Sequence, residues 1–349
     1  MPVASSQPPP PTPKPAQPSR PSQPAPKARR ALVAGGAGYV GLTLTRRLLA
    51  AGWRVDVLDN LRHGVAPPPD VADHPGFTFV PGDLRDIAAV DQALEGRQAA
   101  ILLAALVGEP ACDAEPAATL QINLLGALNF FETARLRRVP RFVFASTDSC
   151  YGAREGEQLD EGSPLAPLSL YAQTKADMER EILGRTPQAG FAPTVLRLAT
   201  VYGLAPRMRF DLALNLLMRE AVLQGRVKIY SGEQWRPLIH VSDVASAFET
   251  VLNFPETVVA GQVFNVGSNA QNMQFKDVGN LISHLCPEAI IEYVPATPDL
   301  RDYYVKFDKI EKILGWKTKI SMLEGLSELR DAIKSGQPPD PYAASWRNA

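Results

Sequence analysis

Cysteine is scarce in this chain of 349 residues: Cys112, Cys150 and Cys286 are all it holds, and no two form a CxxC pair. That excludes a disulfide-stapled secreted scaffold and points to a reducing, cytoplasmic setting. Histidine is also rare. His63, His74 and His284 have no cysteine or carboxylate at metal-ligand spacing, so no metal site is expected. No run of about 18 apolar residues occurs, which gives no reason to expect a membrane-spanning helix. Excess charge is missing too. A formal net charge of −1 offers no bulk attraction to nucleic acid or to an anionic membrane.

That balance hides an asymmetry. Residues 1–30 contain 11 of the 32 prolines, five basic residues and no acid. They lack the apolar stretch of a secretory signal and bury too little to offset ordering entropy, so a disordered tail is expected there. The remainder carries 31 basic against 37 acidic residues.

From residue 31 short apolar runs alternate with amphipathic stretches. Strands are expected at 31–34, 54–58, 77–80, 99–103, 141–145 and 194–198, with helices near 40–51, 86–95, 117–137 and 169–184. Continuous apolar runs imply a sheet covered on both faces, hence an α/β fold with a doubly wound parallel Rossmann sheet. Residues 31–200 form that domain. A smaller substrate-binding lobe is expected over 201–335, with some segments returning to the sheet, and a C-terminal tail over 336–349. Helices near 211–223, 242–253, 274–285 and 321–333 and strands at 227–230 and 262–266 fill this part.

The first strand runs into Gly35-Gly36-Ala37-Gly38-Tyr39-Val40-Gly41, a GxxGxxG turn followed by a helix N-terminus. Glycine permits the tight turn and lets backbone approach a pyrophosphate, while free helix N–H groups attract it. The second strand ends in Asp59-Asn60. A carboxylate there accepts ribose hydroxyls and repels a 2′-phosphate, favouring NAD over NADP. After the third strand comes Gly82-Asp83-Leu84-Arg85-Asp86, placing Asp83 toward an adenine.

Tyr171-Ala172-Gln173-Thr174-Lys175 sets a phenol and an ammonium one helical turn apart. A free tyrosine titrates near about 10, too high for a neutral-pH base, and the neighbouring lysine cation and a positive nicotinamide ring both favour its phenolate. The fifth strand ends in Ser146-Thr147-Asp148-Ser149-Cys150-Tyr151-Gly152, whose hydroxyls face the crevice at the strand ends. His240 and Cys150 read as buried structural residues, and Cys112 as lining.

Together with Leu103-Ala104-Ala105, Asn123, residues 197–203 and Arg236-Pro237-Leu238-Ile239-His240-Val241-Ser242-Asp243, these motifs resemble the extended short-chain dehydrogenase/reductases. The similarity is to the NAD-dependent nucleotide-sugar epimerases and dehydratases, and it covers residues 31 to about 333. It implies NAD contacts from Gly35, Gly38, Tyr39, Val40, Asp59, Asn60, Asp83, Leu84, Ala104, Asn123, Tyr171 and Lys175. It implies a catalytic set of Thr147, Tyr171 and Lys175. For a nucleotide-diphosphate sugar it implies Arg236 on the diphosphate, with Thr147, Thr200, Arg209, Asn215 and Arg301 as further contacts. A homodimer paired through helices 117–137 and 169–184 is expected, as in relatives.

The implied reaction is oxidation of a sugar at C4 to a 4-keto intermediate with Tyr171 as base, returned as the epimer. The related 4,6-dehydratases place a glutamate after Thr-Asp, where this chain has Ser149, and many epimerases hold substrate with an asparagine where it has Thr200. A 4,6-dehydratase and a 4-dehydrogenase or ketoreductase stay open as alternatives. A non-catalytic NAD-sensing protein is the alternative of another class, although such relatives usually lose the Tyr or the Lys kept here.

Overall fold

Seven β-strands rich in aliphatic residues assemble into one parallel sheet: β1 (Arg30–Ala34), β2 (Arg54–Asp59), β3 (Phe77–Pro81), β4 (Ala99–Leu102), β5 (Arg141–Thr147), β6 (Ala192–Leu198) and β7 (Gln262–Val266). The computed structural model describes residues 29–154, 156–186, 188, 190–295 and 302–348. The strand order is β7-β6-β5-β4-β1-β2-β3, so the order reverses beside β1 and opens a crevice at the carboxyl ends. Alternate residues of β1 feed opposite faces. Ala31 and Val33 join a core with Leu42, Leu48 and Phe248, while Leu32 and Ala34 join Phe130, Phe131, Phe142 and Phe144. Both faces are thus dry, as the continuous apolar strands require.

A second core forms where helices Ala213–Gln224, Phe275–Leu285 and Met322–Lys334 pack with Met208, Phe210 and Leu238. A small sheet links it to the first. Thr200–Tyr202 pairs in parallel with Trp235–His240, which pairs antiparallel with Asn272–Gln274. Strands of three residues are too short to show a period, so the residues alone carry no sign of them. The returning strand Gln262–Val266 lies on β6 at the sheet edge.

Three expectations need revision. The tail expected over 1–30 ends earlier, because Arg30 opens β1 and Arg29 lies 4.1 Å from the Trp53 ring centroid and donates to Asn253. Residues 1–28 lie outside the described ones. The expected single helix at 117–137 is broken into Pro116–Thr119, a π-helical turn Leu120–Gly126 and an α-helix Ala127–Leu136. The widened turn carries Asn123 inward. Finally, residues 341–348 pack back on the second lobe. Phe210 donates its N–H to the Trp346 carbonyl at 2.8 Å, and the Arg219 guanidinium stands 4.3 Å from the Tyr342 ring.

Candidate active site

The crevice becomes a cavity of about 350 Å³ lined by the glycine turn, the ends of β2, β4, β5 and β6, and residues of the second lobe. Its floor exists because side chains are missing. Gly35 has φ +81°, and a Cβ there would lie 2.5 Å from the Ala104 nitrogen. One at Gly41 would lie 2.2 Å from the Gly35 carbonyl oxygen. Bare backbone therefore faces the cavity at the start of helix Tyr39–Ala50, which fits a pyrophosphate.

Gly35, Gly38, Tyr39, Val40, Asp59, Asn60, Asp83, Leu84 and Ala104 all line this cavity. The Asp59 carboxylate braces the turn, accepting N–H bonds from Ala37 at 3.0 Å and Leu61 at 2.9 Å; burial raises its pKa. Asp83 accepts from Arg85 and Asn60, and the Arg85 guanidinium holds its carboxyl well below the usual range. Tyr39 turns its phenol away from the cavity, donating to the Gly203 carbonyl at 2.7 Å.

Asn123 behaves differently from expectation. It is buried outside the cavity lining, its amide accepting from Leu106 N–H at 2.7 Å and donating to the Leu106 carbonyl at 2.9 Å. It shapes the loop after β4 and does not line the dinucleotide space. Asn215 is likewise internal. It accepts from Gly203 N–H and donates to the Arg209 carbonyl and the Tyr39 hydroxyl, with no exposed surface. Both amides satisfy loop backbone that burial would otherwise leave unpaired.

Thr147, Tyr171, Lys175 and Thr200 also line the cavity, joined by Ser146 and Ser149. Ser169 caps helix Leu170–Gly184 through the Ala172 N–H, so the tyrosine falls in the first turn beside the strand ends. Lys175 donates to the Ala145 carbonyl at 2.8 Å, and its nitrogen stands 5.9 Å from the Tyr171 ring centroid. Burial pushes this lysine down to about 8. It also pushes the Tyr171 phenol upward, with the Cys150 and Cys112 thiols adding to the effect and Arg209 opposing it. Within the protein, desolvation therefore outweighs the help expected from the neighbouring lysine cation.

One turn beyond Lys175, Glu179 forms a buried ion pair with Arg197 of β6, at 2.7 Å. Ser146 donates to the same carboxylate, and Arg197 donates to the Tyr151 hydroxyl, which donates to Asn265 of β7 at 2.7 Å. This chain fixes the catalytic helix to three strands. Asp148 sits beside it, buried and outside the cavity lining, and burial lifts its carboxyl well above the usual range.

The substrate-side arginines are placed less simply. Arg209 lines the cavity but is engaged by Asp211 at 2.5 Å. Arg236 is outside the lining, its guanidinium 5.6 Å from the ring centroid of Tyr303, which does line the cavity. Arg301 lies outside the described residues. Among the lining residues that sequence reasoning missed are His63, Arg207, Tyr303 and Asn348. Arg207 had a legible sign, a cation in the apolar run Pro206-Arg207-Met208, whereas Asn348 had none. Cys112, Cys150 and His240 are fully buried, and no metal-binding group of three is gathered among the described residues. No helix among them is long and apolar enough to cross a membrane.

The model of the NAD dependent epimerase/dehydratase family matches residues 31–267. A dTDP-glucose 4,6-dehydratase from Streptomyces niveus is 30% identical over 314 residues, covering 85% of this chain and 90% of that protein. A UDP-glucose 4-epimerase from Mycolicibacterium smegmatis is 28% identical over 304 residues, covering 85% and 96%. The crystal structure of the UDP-glucose 4-epimerase of Thermus thermophilus in complex with NAD superposes with a TM-score of 0.74 at 29% identity, covering 87% of this chain and 99% of that one.

Removing the Glu179 carboxylate strands a buried guanidinium. Glu179→Ala is expected to lower stability by about 3–5 kcal/mol, read as a reduced urea midpoint with an unchanged slope.

Proposed function

This chain belongs to the NAD dependent epimerase/dehydratase family, and on that premise we propose that it is a nucleotide-sugar 4-epimerase with Tyr171 as its base. NAD is its cofactor. The observation that carries the reading is one cavity in which the glycine turn, Thr147, Tyr171 and Lys175 meet. When bound, the oxidised dinucleotide accepts a hydride from the sugar C4 and brings a ring positive charge that offsets the burial cost of a phenolate. Thr147 holds the C4 hydroxyl at the strand end while Tyr171 takes its proton. Lys175 stays a cation at neutral pH and holds the nicotinamide ribose.

Epimerisation then asks for no further acid or base, only for the keto sugar to turn over. Dehydration asks for a base at C5. The end of β5 lines the cavity with Ser146, Thr147 and Ser149, the Ser146 hydroxyl being held by Glu179, while its carboxylate, Asp148, is buried outside the lining. That chemistry favours the epimerase. The 30% identity to a 4,6-dehydratase supports the second reading. Mass spectrometry and NMR of products from UDP-, dTDP-, GDP- and CDP-hexoses separate them. Unchanged mass with an inverted C4 supports epimerisation, loss of one water makes the protein a dehydratase, and stoichiometric NADH makes it a dehydrogenase.

We further propose a homodimer. Helix Ala127–Leu136 and the π-helical turn before it expose Leu125 at 60% and Leu136 at 72%, large apolar groups on the face expected to pair with a second copy.

Four outcomes are expected. Tyr171→Phe abolishes turnover while NAD binding, followed by fluorescence, stays within about threefold. The kcat/KM profile carries a descending limb near pH 8, because the Lys175 charge is present below about 8 and lost above it. In Lys175→Arg any residual activity loses that limb, since a guanidinium stays charged. Leu125→Glu shifts the protein from dimer to monomer in analytical ultracentrifugation.

A further inference from the structure

Arg207 is a buried cation with no ion-pair partner among the described residues, although the charges of Asp211 and Asp59 act on it. Its side chain lines the cavity, yet the residue is only 2% exposed. One terminal nitrogen donates to the Ser345 and Arg347 carbonyls, each at 3.3 Å, and to the Asn348 side-chain oxygen at 2.8 Å. Those acceptors are all neutral. Its Nε is buried with no hydrogen-bond partner, and it forms no ion pair among the described residues. Neighbouring Arg209 differs, since Asp211 neutralises it. A desolvated charge of this kind is costly unless an opposite charge completes it.

The position narrows what that charge meets. Arg207 and Asp59 influence each other electrostatically, and Asp59 is bonded to Ala37 of the glycine turn. His63, beside them, is pushed down to about 4 by burial and by Arg207, Arg209 and Arg62. Arg209, by contrast, also reaches the field of Tyr171 at the catalytic end. Through Asp59, which accepts the Ala37 N–H, the cation is linked to the glycine turn, where the N–H groups that open helix Tyr39–Ala50 suit a diphosphate.

We propose that Arg207 is the cationic partner of the dinucleotide's diphosphate, and that residues 345–348 hold it in the cavity wall for that purpose. The inference rests on this cavity being the NAD site. The segment is anchored independently of Arg207. Phe210 N–H bonds the Trp346 carbonyl, Trp346 packs on the second core, and Arg219 donates to the Pro341 carbonyl at 3.3 Å. A nucleotide-sugar also carries a diphosphate, so the test must separate the two sources.

The test measures ADP-ribose, adenosine and NAD binding by calorimetry, and UDP binding to NAD-saturated protein, for the wild type and for Arg207→Gln. Thermal melts without ligand serve as the check on folding. Arg207→Gln is expected to weaken ADP-ribose and NAD roughly 10- to 100-fold, the scale of a lost charge-assisted contact. Adenosine, which lacks the diphosphate, and UDP should change less than about threefold. Arg207→Lys keeps the charge without the fork and is expected to fall between, which preserves the test should the glutamine variant fold poorly. Equal weakening of adenosine and ADP-ribose would show that only cavity shape had changed and would overturn the proposal. Weakening of UDP alone would move the arginine to the substrate and overturn it equally. Unchanged NAD binding in a folded Arg207→Gln protein also refutes it. A wild type that binds neither NAD nor ADP-ribose removes the functional reading itself, and the proposal with it.

Discussion

The hydrogen bond from the Lys175 ammonium to the Ala145 carbonyl, 2.8 Å long and buried, ties helix Leu170–Gly184 to the strand end beneath it. Everything chemical in the cavity is referred to that contact. It sets Tyr171, one turn earlier, in the same cavity wall as Thr147, and it keeps an ammonium in a dry site by giving it a backbone dipole. The bond is too weak to hold a helix alone. Its register comes from Glu179, one turn further on, whose ion pair with Arg197 and bond from Ser146 join the same helix to β5 and β6. Two successive turns of one helix thus serve different ends: Lys175 faces the cavity and Glu179 faces the sheet.

Burial acts on the two members of the Tyr–Lys pair in opposite senses, raising the phenol and lowering the ammonium. Both shifts favour the neutral pair, so the protein by itself leaves the base protonated. A positive ligand in the cavity reverses this, because it adds the charge that the phenolate lacks. The site is in that sense conditional on its cofactor, and the same logic applies to Arg207 in the cavity wall, a cation with no ion-pair partner among the described residues. The two incomplete charges have opposite needs, and a dinucleotide carries a cationic ring and an anionic diphosphate in one molecule.

The second lobe contributes more than a lid. Through Thr200, Arg209, Arg207 and Asn348 it forms part of the same wall as the glycine turn, and Asn215 locks Gly203 and Arg209 to Tyr39 of the first domain. The residue that opens helix Tyr39–Ala50 therefore also braces the second lobe. The phenol of Tyr39 serves this brace, while the residue itself lines the cavity.

How far could the residues alone be read? The strands β1 to β6, the glycine turn, Asp59 and the Tyr171–Lys175 pair were legible because each is local: a period of two or 3.6, a tight turn, an i to i+4 spacing. Local steric and hydrogen-bonding rules set them before any packing occurs. The π-helical turn at Leu120–Gly126, the inward bonding of Asn123 and Asn215, the retreat of Arg236 behind Tyr303 and the arrival of Asn348 in the cavity wall were not legible. Each is decided by which distant backbone group comes within hydrogen-bonding distance once two cores have packed, and 141 residues separate Arg207 from Asn348. Sequence determined which chemistry this chain carries; only tertiary packing decided which polar side chains are spent on holding loops and which are left facing the cavity.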